Sequence, residues 1–326
     1  MLLQLRVTVP PDRTARVREL FESDPGTAHL AVLAGASVAP PGDLVLADVA
    51  RESADGLIAA LRELRVPEDG GIAITSVDTA VSRAAHRAEE RAPGDASDAV
   101  VWEQVIRSTD ADSSLSFSYV AFMTIATMLA GIAIINDSAI LTVGAMVLGP
   151  EFATLAALAV AVVWRRPAGA RQAAVTLVLG FLIGIAVTAA ATLVGRLLGW
   201  FGPELLDQPR PQTAFITSPD RWSLVVALLA GIAGVLSLTA SKSGALVGVF
   251  ISVTTVPAAG AIGVSLALGR GDDVARGATQ LGINLGAILV AAVVTLTVQR
   301  AVWRRVPGTL PRRGRVARSP GGSRGD

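Results

Sequence analysis

The chain has no cysteine, which excludes disulfides and thiolate chemistry. It has two histidines, His29 and His86, both near the N-terminus and not spaced as a metal pair, and one tyrosine among few aromatics. Its cationic residues are arginines except for Lys242. No HExxH, GxSxG or Walker loop is present, so no metalloprotease, serine hydrolase or nucleotide-phosphate site is expected. Gly269-Arg270-Gly271-Asp272 matches the GxGD string of intramembrane aspartyl proteases. It falls in a charged loop, and its only upstream partner, Asp137, is expected at a span edge. A dyad of Ser241 or Ser243 with Lys242 lacks supporting geometry, so no catalytic residue, cofactor or metal is assigned. The N-terminus lacks a basic n-region leading into an apolar core, and no signal peptide is expected.

Charge is missing over long stretches. Hydrophobic residues make up 52% of the 326-residue chain and charged ones 17%, and beyond Ser116 the charges gather into short clusters between apolar runs. Those runs are Phe117–Ile135, Ser138–Trp164, Ala173–Gly199, Trp222–Ala240, Ser243–Gly269 and Thr279–Gln299. Each suffices to cross a ~30 Å hydrocarbon layer at about 1.5 Å per residue. Arg165, Arg166, Arg171, Lys242 and Arg300 fall in alternate loops and the tail, so the positive-inside rule puts both termini in the cytoplasm.

The first 78 residues read as a soluble domain. Leu2–Val9 alternates with period two and ends at Pro10-Pro11; helical and strand-like runs follow in the order βαββαβ, the second helix opened by Ser53 as N-cap. This predicts a ferredoxin-like α+β domain, a fold that does not give function by itself. Residues 79–116 read as a helical linker, with Trp102 on a short helix at the membrane surface or on the soluble domain. Residues 301–326 read as a basic disordered tail that meets anionic lipid.

Within 117–300 the sequence repeats. LAGIA at Leu129–Ala133 recurs at Leu229–Ala233, GAMVLG at Gly144 is answered by GALVGV at Gly244, and Pro150 and Pro257 each interrupt the second run of their half. ARQA at Ala170 answers ARGA at Ala275, and Gly180-x-x-x-Gly184 answers Gly282-x-x-x-Gly286. A duplicated three-span unit, 117–199 and 222–299, is inverted because three is odd, and such inverted repeats with broken helices hold transporter sites at the midplane. Were the second and fifth spans re-entrant, the repeats would be parallel; the charge bias favours full crossing.

The break Gly149-Pro150-Glu151 is the chemical focus. Gly149 suits a helix end, Pro150 a helix start, and Glu151 the first turn. An ionised carboxylate midway along an apolar span costs ~2.5 kcal/mol or more, and one helix terminus returns only ~1 kcal/mol. Glu151 is therefore expected to face a polar cavity or a partner. The matching break, Thr254-Thr255-Val256-Pro257, offers hydroxyls and freed carbonyls but no charge; one carboxylate with such groups suits a cation or proton, and exposed helix starts also suit an anion, a choice the sequence leaves open. Asn284 and Gln280 are further candidates. Asn136, Asp137, Ser138 and Lys242 are secondary: a turn for the first three, a snorkelling lysine for the last.

The stretch from Ser114 to Leu158 resembles the bacterial and archaeal domain of unknown function 389 family of uncharacterized hydrophobic membrane proteins. The features that carry this are the serine-rich entry Ser114–Ser118, the Ile/Ala/Gly-rich Ala126–Ile134, the Asp137-Ser138 turn, and Gly144-Ala145-Met146 through Pro150. Over residues 98–300 this resemblance implies an integral membrane protein with a cytoplasmic N-terminal domain, and it supplies no substrate. Glu151 is a variant carried by part of that family. From the residues, the expectation is a secondary transporter or channel-like protein of the plasma membrane for an ion or small solute. Its partners are lipid and that solute, with homo-oligomerisation open and nucleic acid excluded. The rival reading is a non-transporting sensor or assembly scaffold acting through the cytoplasmic domain.

Overall fold

The structure is a computed structural model that describes residues 1–92, 99–207, 209–213, 221–239 and 255–303. Two compact units divide it, Met1–Val101 and Trp102–Ala301.

In the first unit, β1 (Leu2–Val9), α1 (Pro11–Ser23), β2 (Thr27–Val38), β3 (Pro41–Ala50), α2 (Arg51–Glu63), a short α3 (Val66–Asp69) and β4 (Gly71–Val77) follow one another. The strands form an antiparallel sheet in the order β2-β3-β1-β4. Period-two alternation turns Leu3, Leu5, Val7 and Val9 of β1 inward, against Val17 and Phe21 of α1 and Leu57, Ile58 and Leu61 of α2. Val101 joins this core. Ser53 does not cap α2. The helix begins at Arg51 after Ala50, and Ser53 lies in its first turn against Gly26 and Asp24. α4 (Arg83–Arg91) starts where Ser82 accepts the Ala85 amide, and the Ser82 hydroxyl also meets the His29 ring.

The second unit is helical: α5 (Trp102–Asp112), α6 (Phe117–Ile135), α7 (Ala139–Leu148), α8 (Glu151–Val163), α9 (Pro167–Leu197), α10 (Arg221–Thr239), α11 (Val256–Ala267) and α12 (Gly271–Trp303), with a 3-10 turn at Pro203–Asp207. Among the described residues α6, α9, α10 and α12 are long and apolar enough to cross a membrane. α7 and α8 make a fifth if the pair, bent by 48°, is one span. The expected span Ser138–Trp164 is thus two helices, and that of Ser243–Gly269 is described only from Thr255 onward. Leu179, Leu182, Leu193, Leu229, Val290 and Val294 face outward, while Glu151, Thr154, Thr255 and Asn284 are wholly buried. Such an inside-out distribution has its apolar surface matched by lipid rather than water.

Polar contacts tie the helix ends. At one end Arg166 grips Asp110 of α5 through two bonds of 2.9 and 2.6 Å. There the Trp102 and Trp164 rings meet at a tilt of 50° with centroids 4.9 Å apart, Arg300 lies over the Trp164 ring, and Gln299 donates to Thr239. At the opposite end Asp137 accepts the amides of Gln212 and Thr213 and the Thr213 hydroxyl. Arg196 reaches the Ala267 carbonyl, and Arg270 pairs with Asp207.

Between the ends, α6, α9 and α11 approach closely through small residues. A Cβ on Gly260 would stand 2.6 Å from Ala130 Cβ and 2.8 Å from the Gly131 nitrogen, and one on Gly184 would stand 2.7 Å from Thr127 Oγ1. Gly282 and Gly286 differ from their proposed counterparts Gly180 and Gly184: among the described residues nothing lies within 4 Å of where their side chains would be. Backbone cannot give way as a flexible side chain does, so Gly260→Ala should destabilise the detergent-solubilised protein by about 1–3 kcal/mol. Gly282→Ala should leave its thermal midpoint unchanged or raise it; equal losses in the two variants would contradict this packing.

Candidate functional site

The site begins with a helix that cannot continue. α7 ends at Gly149, and Pro150, lacking an amide hydrogen, stands as N-cap of α8 and makes no side-chain cap bond. Glu151 therefore opens α8 deep in the unit, with no solvent exposure. Gly149 bears on its direction: a Cβ there would collide with a Glu151 carboxylate oxygen and stand 2.7 Å from Val256 Cγ2. The missing side chain lets the carboxylate turn back over the break.

α11 supplies the opposite wall. Thr255 precedes it and makes no capping bond to its own helix; its hydroxyl donates instead to Glu151 Oε1 at 2.8 Å. Val256 rests on Gly149, and Pro257 sits in the first turn of α11, where a missing amide hydrogen costs least. Two helix starts from distant parts of the chain thus meet at one carboxylate. Gly149, Pro150, Glu151, Thr255 and Pro257 are brought together.

Asn284 and Gln280 are buried on α12, bonded to each other at 3.4 Å. Gly277, one turn before Gln280, lies against Ile262 and the Ala258 carbonyl of α11. At a rise of ~1.5 Å per residue Gln280, one turn past Gly277, comes level with the first turn of α11, and Asn284 lies a further turn along α12. Asn136, Asp137 and Ser138 stand apart at the far end of the ten-residue α7. Asn136 donates to the Ile132 carbonyl, Asp137 takes a positive φ of 45° and holds Gln212 and Thr213, and Ser138 caps α7. They form a turn, as expected of them. Thr254 and Lys242 lie outside the described residues.

Two residues escaped the sequence reading. Tyr119 of α6 and Thr154 of α8 are buried with their hydroxyls side by side, too loosely aligned for either to complete a hydrogen bond among the described residues. Tyr119 is within electrostatic reach of Glu151 and lies against Gly180 of α9. Thr154 follows Glu151 by three residues, the spacing that puts both on one helix face, and that spacing was the available signal. Tyr119, the chain's one tyrosine, had none beyond its rarity.

The Thr255–Glu151 bond predicts a coupled pair. Thr255→Val should cost about 1–3 kcal/mol in wild type. It should cost less than half as much when Glu151 is already glutamine or alanine. Thermal or denaturant unfolding of the four proteins measures that coupling, and strict additivity would refute the bond.

The region just described has relatives. An uncharacterized protein of Methanocaldococcus jannaschii is 24% identical over 206 residues, 63% of this chain and 62% of that protein. The alignment thus spans less than two thirds of the archaeal relative. No solved structure matches. A family described as a domain of unknown function matches from Met146, in α7, to Val290, in α12, and so takes in both helix starts, Glu151, Thr255 and Asn284. Residues 146–290 of this chain match that family, DUF389, and so resemble it over the region that holds the site.

Proposed function

We propose that the protein is a secondary transporter or channel-like protein for an ion or small solute, with its site at the bilayer midplane where α8 and α11 begin. The observation that carries this is Glu151, a fully buried carboxyl at a helix break, bonded to the start of a second interrupted helix. Ionisable groups at such depth are expensive and mark solute or proton paths, and broken helices recur at transporter sites.

The arrangement of helix ends supports six crossings. Asp110 with Arg166, Arg300 with Trp164, and Gln299 with Thr239 bring together the start of α6, the end of α8, the end of α10 and the end of α12. Asp137 with Thr213, and Arg196 with Ala267, bring together the end of α6, the chain after α9 and the end of α11. On this reading α7 and α8 traverse the bilayer as one broken span rather than returning as a hairpin. Of the fifth expected crossing, Ser243–Gly269, the described part is α11 with Thr255 before it.

Matched packing favours the inverted repeat. Gly131 approaches Thr188 and Gly231 approaches Ile288, each partner standing 57 residues further along (131 to 188, 231 to 288). The sheet order β2-β3-β1-β4 with two covering helices favours a ferredoxin-like N-terminal domain. Arg165, Arg166, Arg171 and Arg300 gather at the first end; acidic residues dilute the arginines at the other. Both termini are then cytoplasmic in a plasma-membrane protein.

Since the chain has no native cysteine, topology can be read directly. Single cysteines at Ala168 and Val274 should label from opposite faces of sealed vesicles, and same-face labelling would undo the six-crossing account. Reconstituted protein should pass at least one small ion or solute, slowed about tenfold or more by Glu151→Gln, a loss of ~1.4 kcal/mol in barrier stabilisation. Folded protein that passes none of a broad panel would favour the sensor or scaffold reading, with activity in the Met1–Val101 unit.

A further inference from the structure

The place where α8 and α11 begin is rich in hydrogen-bond donors. First-turn amides of a helix have no acceptor inside it and form the positive end of its dipole. At α11 these amides belong to Val256 and Ala258, both fully buried, with Pro257 contributing none; at α8 they belong to Glu151, Phe152 and Ala153. Neither helix start receives a side-chain cap bond from its own N-cap residue. Tyr119 and Thr154 add two buried hydroxyls that complete no hydrogen bond among the described residues. The buried, unsatisfied hydroxyls point independently to an occupant that accepts hydrogen bonds.

Glu151 meets that need from within the chain. Its Oε1 accepts the Thr255 hydroxyl at 2.8 Å, and the carboxylate turns back over Gly149 into the space a side chain there would fill. We propose that this junction is a site for a small monovalent anion, and that the Glu151 carboxylate is its tethered occupant. An anion from solution takes its place when the side chain swings out. Converging helix starts and hydroxyl donors are what recognise a halide or a short carboxylate. A bare cation would call for carbonyl and carboxylate oxygens, and at this junction Glu151 is the one carboxylate among the described residues. The inference gives the transport reading its substrate class and rests on it for physiological meaning, yet it concerns binding and is tested without flux.

The test is thermal unfolding of purified full-length protein in gluconate buffer, wild type beside Glu151→Ala, titrated with sodium formate and with sodium chloride. Removing the tethered carboxylate opens the site. Formate should raise the midpoint of Glu151→Ala saturably, by roughly 5 °C at saturation, and barely move wild type, whose own carboxylate competes at high effective concentration. Adding Thr255→Val to Glu151→Ala should weaken the formate response about fivefold or more. If Glu151→Ala does not fold in gluconate, its recovery as folded protein when formate is present throughout purification is the same positive result. No response of folded Glu151→Ala to either anion overturns the proposal. So does a wild type stabilised by sodium or potassium through Glu151, which would make the site cationic. Solute flux that depends on Glu151 without anion rescue removes the anion assignment and leaves the transport reading; rescue without flux does the reverse.

Discussion

A helix that stops inside an apolar environment leaves backbone groups that no water can satisfy, and this constraint organises the second unit. Breaking the chain at Gly149-Pro150 and starting α11 at Val256 creates two such ends close together. An ionised Glu151 at that depth carries a cost of about 2.5–3.5 kcal/mol. One helix end, at ~1 kcal/mol, leaves most of it standing. Two helix ends and a hydroxyl bond of about 1.5–3 kcal/mol to a charged acceptor offset it. Break and carboxylate, each unfavourable alone, relieve one another.

That arrangement needs close packing around it. α6, α9 and α11 come together through Gly131, Gly184, Gly260 and Gly263, where a methyl group would meet backbone or a threonine. The threonines at these crossings are Thr127 and Thr188: the first turns its hydroxyl back to the Met123 and Thr124 carbonyls of its own helix, while the buried Thr188 hydroxyl has no hydrogen-bond partner among the described residues. Leucine and valine then cover the outside. With no hydrophobic drive between helices in lipid, this fit of small residues and the ion pairs at the helix ends must hold the bundle together.

Much of this was legible in the sequence because periodicity and breakers report local constraints. β1 alternates because one sheet face is buried, and the glycine-proline pair interrupts the second span because no residue order can carry a helix through it undisturbed. The burial of Glu151 followed from depth alone. What escaped were relations set by tertiary packing. Ser53 looked like a cap because of its residue type, but β3 runs directly into α2 and the N-cap position falls on Ala50, three residues earlier. Gly282 and Gly286 copied the spacing of Gly180 and Gly184. Among the described residues only the first pair is packed, by Tyr119 and Thr127, since a motif records spacing and not the presence of a neighbour. Tyr119 belongs to a helix whose sequence partner to Glu151 is 32 positions away, beyond any local pattern.

The bond from Thr255 has a consequence for coupling. A threonine preceding a helix commonly spends its side chain on that helix's own first turn. Here the hydroxyl crosses to Glu151 and leaves the α11 amides to other acceptors. The carboxylate consequently senses both half-helices: its backbone moves with α8 and its hydrogen bond with α11. Were α8 or α11 to shift alone, either the Thr255 bond or the fit over Gly149 would be lost. On the proposed inverted-repeat reading these two helices belong to opposite halves, and alternating access is a motion of one half against the other. Glu151 then sits where that motion is sensed, with the junction's carboxylate on one half and its hydroxyl donor on the other. Such asymmetry gives the two access states different energies for the same occupant, which is the condition for an occupant to drive the change between them.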